Sequence, residues 1–171
     1  MQQKALVVID IQNDITKNYK DIIDNINKSI EWAVNHDIHV VYIRHENLSA
    51  GTRTFKPNTH GFELVPDLMM VSPNVFTKCK GNALTSKEFA DFIHRNGICE
   101  FYLTGADAGA CVKATCYNMC KENYQVTVIS DCVTSYDKRK IDEMLQYYAS
   151  KGSTIMDLDT LRGLDQATLP E

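Results

Sequence analysis

The 171-residue chain carries 18 Lys and Arg against 22 Asp and Glu, a formal charge of −4, and 44% of its residues are hydrophobic. That length buries a core without disulfides or a structural metal, and scattered basic residues under a net negative charge argue against nucleic acid or an anionic membrane as partner. What remains is a single domain over residues 1–171 with a small-molecule partner.

The six cysteines, Cys79, Cys99, Cys111, Cys116, Cys120 and Cys132, form no Cys-x-x-Cys pair and no Cys/His cluster of zinc spacing, so they read as reduced thiols. Met1-Gln2-Gln3-Lys4 leads directly into an apolar strand without the features of a signal peptide, and no apolar run is long enough to span a bilayer. The expected location is cytoplasmic.

In chain order, Ala5-Leu6-Val7-Val8-Ile9 is a continuous apolar run, the pattern of a strand buried on both faces, and it ends in Asp10. From Tyr19 to His36 the apolar positions Ile22, Ile23, Ile26, Ile30, Ala33 and Val34 recur at helical spacing. His39 to Ile43 is the second strand, with Arg44, His45 and Glu46 just beyond it. Residues 47–72 show no period, and a connection of that length predicts cover over a site or a subunit contact.

Asn74 to Thr77 is a short third strand ending at Lys78, and Ser86 to Asn96 is a helix stopped by Gly97. Cys99 to Leu103 is the fourth strand, and a helix spans Ala110 to Asn123. Val126 to Ile129 is the fifth strand, ending at Ser130 and Asp131. A helix from Asp137 to Ser150 and a last strand, Thr154-Ile155-Met156, complete the alternation, with a tail from Asp157 read as loop or one helical turn. Strands alternating with helices predict a three-layer α/β/α, Rossmann-like, doubly wound and mainly parallel six-stranded sheet.

The chemistry concentrates where strands end. Between Leu103 and Thr115 the chain reads as a strand end, an elbow of small residues and a helix start carrying Cys111. Unpaired N–H groups and the positive dipole end of a helix favour a thiolate, and small side chains let a substrate approach the backbone donors. Asp10, Lys78 and Cys111 come after three strands whose ends share one edge of a parallel sheet. A carboxylate and an ammonium meeting a thiol there can share protons with it and lower its pKa. The bland readings are a turn carboxylate, a surface lysine and a buried small hydrophobe.

The residues Leu6 to Asp14, Phe76-Thr77-Lys78 with Asn82-Ala83-Leu84, and Thr104-Gly105-Ala106 through Cys111-Val112-Lys113-Ala114-Thr115, backed by Val128 to Asp131, resemble the isochorismatase-like cysteine hydrolases. That family includes nicotinamidases and N-carbamoylsarcosine amidohydrolase, and the resemblance covers most of the chain. It implies a catalytic triad of Asp10, Lys78 and Cys111, and an oxyanion hole of the Asp107 and Cys111 backbone N–H groups. It also implies a cis peptide between Ala106 and Asp107. Lys80 is the alternative lysine; the distance to Asn82-Ala83-Leu84 favours Lys78. Leu84 and Ile15 stand where aromatic residues are usual, which bears on pocket shape, and Asp14 and Asp131 read as turn carboxylates.

The activity implied by the resemblance is that of a cysteine amidohydrolase, which cleaves a C–N bond of a small amide or carbamoyl compound through a Cys111 thioester, with no cofactor. Asn13, His45 and Tyr136 are expected substrate contacts. The Asp-x-His pair by which nicotinamidases hold a metal is lacking at Arg44-His45-Glu46, with His60 distant, so no metal is expected. A homo-oligomer, dimer or tetramer, is implied, with Phe55, Phe62, Leu64, Leu68, Met69 and Met70 as apolar candidates for the contact. The alternatives are a catalytically idle binding scaffold, a nicotinamidase with an atypical metal site, and a redox role for Cys111 with Cys116.

Overall fold

In the computed structural model the described residues are 2–167. Six strands, β1 (Gln3–Ile9), β2 (His39–His45), β3 (Val75–Lys78), β4 (Ile98–Gly105), β5 (Gln125–Val133) and β6 (Thr154–Met156), form one sheet. Its order is β3-β2-β1-β4-β5-β6 and every pair of neighbours is parallel. Five helices connect or flank them: α1 (Lys20–Asn35), α2 (Lys87–Asn96), α3 (Cys111–Lys121), α4 (Ile141–Ser150) and α5 (Leu158–Ala167).

The pleat of β1 divides the core into two layers, because successive side chains point to opposite faces. Ala5, Val7 and Ile9 pack with Phe89, Phe92 and Ile93 of α2, Val112, Cys116 and Met119 of α3, and Met144 and Tyr148 of α4. Leu6 and Val8 pack with Ile22, Ile23, Ile26, Ile30 and Ala33 of α1 and with Leu158 and Leu161 of α5. The apolar run of β1 is thus explained by burial on both faces, each of its residues from Ala5 to Ile9 being wholly buried. The strand order reverses between β1 and β4, and the crevice at such a switch point, outside the carboxyl ends of the strands, is where open α/β sheets bind ligands.

The observed elements differ from the pattern in three places. The tail is a ten-residue helix, α5, rather than a loop or single turn. Asp131 Oδ1 accepts from Leu158 N at 2.9 Å and caps its start, while Leu158 and Leu161 are buried. Tertiary packing and a cap supplied from β5 therefore make a helix that local propensity does not announce. Strand β5 runs on to Val133 through an irregularity opposite Leu103 and Gly105, so Ser130 and Asp131 lie inside it. Helix α4 starts at Ile141, after a 3-10 turn over Lys138–Lys140 that Asp137 caps.

The long connection folds back onto the end of β1. Gln12 forms an antiparallel bridge with Leu64, and Asn13 N donates to Glu63 O at 2.9 Å. Of the six apolar residues expected at a subunit contact, Phe62 and Leu68 are buried in the chain's own core, Phe55, Leu64 and Met69 are half-buried, and Met70 is exposed. No helix among the described residues is long and apolar enough to cross a membrane.

Candidate active site

Two backbone features place the site. Asp10 leaves β1 with φ +56°, a left-handed conformation that Asp tolerates better than most residues, while its N–H still donates to Ile43 O at 3.0 Å. Gly105 ends β4 with φ +115°, and a Cβ there would lie 2.1 Å from Ile9 O. Only glycine lets β4 turn this close to β1, and Ala106 N then donates to Ile9 O at 3.0 Å. The next peptide bond, Ala106–Asp107, is cis.

The elbow leads into α3 with nearly every amide engaged. Ala108 N donates to Thr134 O at 2.9 Å, Ala110 N and Val112 N donate to Asp107 O, and Gly109 N donates to Asp107 Oδ1 at 2.8 Å. Among the described residues the amides of Asp107 and Cys111 have no such partner. One of these unpartnered amides lies in the elbow and the other at the first residue of α3, where a helix leaves its N–H groups without internal acceptors.

Lys78, at the end of β3, is buried, and its three ammonium N–H groups have three acceptors: Asp10 Oδ2 at 3.2 Å, His45 Nδ1 at 2.8 Å and Cys111 Sγ at 3.3 Å. Lys80 is exposed. Asp10 is 3% exposed, and its Oδ1 has no partner in ordinary hydrogen-bond geometry among the described residues. Asp10, His45 and Cys111 offer ligand atoms within 4.8 Å of one another, but the Lys78 ammonium lies among them, so a cation there would have to displace it.

The electrostatics correct one expectation. The Cys111 thiol is pushed up to about 12, first by burial and then by the Asp10 charge, against which Lys78 works downward. Burial likewise raises Asp10, opposed by Lys78, Cys111 and His45. The sequence pattern predicts a lowered thiol pKa; a site this closed instead keeps the proton on the Cys111–Asp10 pair. His45 is lowered by burial and then by the Lys78 charge, both of which disfavour the imidazolium.

The other two expected contacts take no part in the hydrogen bonds of Lys78. Asn13 Nδ2 donates to His60 O at 2.8 Å, which engages it with the long connection. Tyr136 is 76% exposed, with its backbone N–H 2.8 Å from Asp107 Oδ2. Cys116 is wholly buried in the α3 core, with Cys120 and not Cys111 among its electrostatic neighbours. Asp14 Oδ2 accepts from Phe55 N at 2.7 Å, a turn carboxylate that ties down the long connection.

Two groups of residues are not legible in the sequence. The Asp107 carboxylate, noticed there only for its backbone amide, also accepts from Tyr19 Oη at 3.1 Å and Ser135 Oγ at 2.9 Å. Asn47, in the patternless stretch, accepts from His45 Nε2 at 2.9 Å through Oδ1. A carboxylate in an elbow of otherwise tiny residues is the one local signal that points to the first; nothing local points to the second.

Against known proteins, residues 4–160 match the family described as "Isochorismatase domain". An uncharacterized isochorismatase family protein of Bacillus subtilis, YddQ, is 26% identical over 140 residues, which cover 77% of this chain and 78% of that protein. The crystal structure of N-carbamoylsarcosine amidase from Thermoplasma acidophilum superposes with a TM-score of 0.81 at 22% identity, covering 92% of this chain and 98% of that one. The pyrazinamidase of Pyrococcus horikoshii, solved in complex with zinc, gives 0.81 at 22% identity over 91% and 99%.

Proposed function

The chain belongs to the isochorismatase family, a family of hydrolases, and from that premise we propose that it is a cysteine hydrolase cleaving a C–N bond of a small amide or carbamoyl compound. One observation carries the reading. A buried carboxylate and a half-buried thiol lie within 3.3 Å of the buried Lys78 ammonium, beside the unpartnered amides of Asp107 and Cys111.

The pKa directions shape the mechanism. The resting thiol keeps its proton, so Asp10 removes it as Cys111 Sγ attacks the carbonyl carbon, and Lys78 stabilises the anionic charge as it moves from oxygen to sulfur. The tetrahedral oxyanion rests on the Asp107 and Cys111 N–H groups. Asp10 then gives its proton to the departing ammonia or amine, leaving a thioester on Cys111. Water, deprotonated by the same carboxylate, attacks the thioester and releases the acid with the thiol restored. Every step uses the chain's own side chains and backbone amides and no cofactor.

The test is ammonia release from a panel of small primary amides and carbamoyl compounds by the wild type, Cys111→Ala and Asp10→Asn. Release by the wild type that both variants lose supports the reading. A wild type silent across the panel, or a Cys111→Ala variant that keeps its rate, overturns it.

A further inference from the structure

We propose that His45 and Asn47 are a positioning pair that holds the ammonium of Lys78 in place for catalysis, His45 acting through its Nδ1 lone pair and contacting neither substrate nor metal. The catalytic part of this role rests on the triad reading; the hydrogen-bonded arrangement stands without it.

The chain of hydrogen bonds begins at Thr54. Asn47 Nδ2 donates to Thr54 O at 2.9 Å, and of the two ends of an amide side chain only the NH2 can donate to a carbonyl. That contact orients the amide, so the Asn47 oxygen facing His45 Nε2 at 2.9 Å is an acceptor. His45 Nε2 therefore carries the ring hydrogen and Nδ1 is a lone pair. The group 2.8 Å from Nδ1 is the Lys78 ammonium, a pure donor, which requires the same tautomer independently. With Asp10 Oδ2 and Cys111 Sγ taking the other two N–H groups, the ammonium has no freedom left to rotate.

The pair is itself held. The Gln12 side chain clasps the His45 backbone on both sides, donating to its carbonyl and accepting from its N–H, each at 2.9 Å. Glu46 N donates to Lys78 O at 2.8 Å, and His45 and Lys78 are register neighbours between β2 and β3. Asn47 N donates to Phe55 O at 2.9 Å, while the Phe55 ring meets the imidazole edge to face at 5.9 Å. Both ring nitrogens are committed within the protein. Neither is left to bind substrate or to coordinate a cation.

The charged groups facing the imidazole are Lys78 from β3 and Asp10 from β1, with the Cys111 thiol of α3 in the same cluster. Protonating Nδ1 would set an imidazolium against the ammonium, so the arrangement works only with a neutral ring.

Two measurements test this. The first needs no substrate: long-range 15N–1H spectra of 15N-histidine protein, with His45 assigned by its loss in His45→Asn. The neutral tautomer with the hydrogen on Nε2 is expected at neutral pH, and Lys78→Met should raise the pH at which the ring titrates. A hydrogen on Nδ1, a ring already protonated at neutral pH, or a titration indifferent to Lys78→Met overturns the proposal even if no amide is ever hydrolysed.

The second is kinetic, on whichever amide the panel yields. An Asn side chain puts its oxygen where Nδ1 was, whereas Gln reaches only the Nε2 position. His45→Ala and His45→Gln should lose about 10- to 100-fold in kcat with KM within about threefold, and His45→Asn should recover most of that loss. Asn47→Asp should favour the imidazolium and move the acid-side loss of activity to higher pH. That shift should vanish in the double variant His45→Asn, Asn47→Asp, which has no ring to titrate. Gln outperforming Asn, or an acid limb indifferent to Asn47→Asp, refutes the positioning role; a folded-state melting curve for each variant separates these outcomes from loss of fold.

Discussion

The Tyr19 hydroxyl donates to Asp107 Oδ2 at 3.1 Å, joining the start of α1 to the elbow that carries Cys111. The same carboxylate gathers Ser135 Oγ, Gly109 N and Tyr136 N, so three separate stretches of chain meet on one side chain in the elbow before Cys111. Charge-assisted bonds of this kind are stronger than neutral ones and fix geometry as well as energy.

Asp107→Ala should therefore cost more activity than stability. Water can reach the freed donors of a half-buried group, which limits the loss of stability to roughly 1–3 kcal/mol. The elbow amides would lose their alignment, with a fall in kcat of about tenfold or more. Tyr19→Phe removes one of the four donors and should cost about 1 kcal/mol. Thermal unfolding alongside ammonia release checks both; an Asp107→Ala variant with unchanged kcat would show that the carboxylate does not hold the site.

The buried Lys78–Asp10 pair, with side chains 0% and 4% exposed, predicts a pH-dependent stability defect. Removing one partner of such a pair typically costs 3–5 kcal/mol, roughly the range expected for Lys78→Met at neutral pH. Asp10 is already raised above 3.8 by burial, and loss of the ammonium raises it further. A group with a higher pKa folded than unfolded binds its proton more tightly in the native state, so its contribution to stability falls as pH rises through that window. The variant's deficit should thus shrink as pH is lowered and the carboxyl becomes neutral. Urea titrations at several pH values measure it.

Thiol reactivity should track the raised Cys111 pKa. Without a preformed thiolate, iodoacetamide alkylation of Cys111, read by peptide mass spectrometry, should climb about tenfold per pH unit from neutral into the alkaline range, with no plateau near pH 8. A plateau below pH 8 would mean that Lys78 and the α3 terminus outweigh burial.

Under the proposed mechanism hydrolysis should fall on the acid side at a pH above the ordinary carboxylate value, since the proposed base, Asp10, has its pKa raised. On the alkaline side no loss is expected below about pH 10, because the working form has the carboxylate charged and the thiol still protonated. A kcat/KM profile from pH 4 to 10 tests both limbs.

Glycine substitutions separate two kinds of turn. Gly105→Ala places a Cβ 2.1 Å from Ile9 O at φ +115°, a backbone collision that nothing flexible can relieve. It should prevent folding or cost more than about 4 kcal/mol. Gly97→Ala, at φ +61° after α2 with nothing within 4 Å, meets only the left-handed penalty of about 1–2 kcal/mol. Similar melting points for the two variants would contradict the close approach of β4 to β1.

The range over which each feature is encoded decides how much of it is legible in the sequence. The apolar run of β1, the helical spacing of α1 and the small-residue elbow before Cys111 are local patterns, each written in neighbouring residues: burial on both faces gives a continuous run, burial of one helix face gives a period, and close backbone approach gives small side chains. Parallel strands share an edge for their carboxyl ends, so Asp10, Lys78 and Cys111 can be assembled from strand endings alone. Helix α5, the four donors on Asp107 and the clasp of His45 by Asn47 and Gln12 lie beyond such patterns. The bond from Tyr19 to Asp107 spans 88 positions and that from His45 to Lys78 spans 33, with no periodicity to announce either. The proton state of the thiol lies further still from the sequence, because burial and two opposing charges compete for it and only the packed site sets their balance.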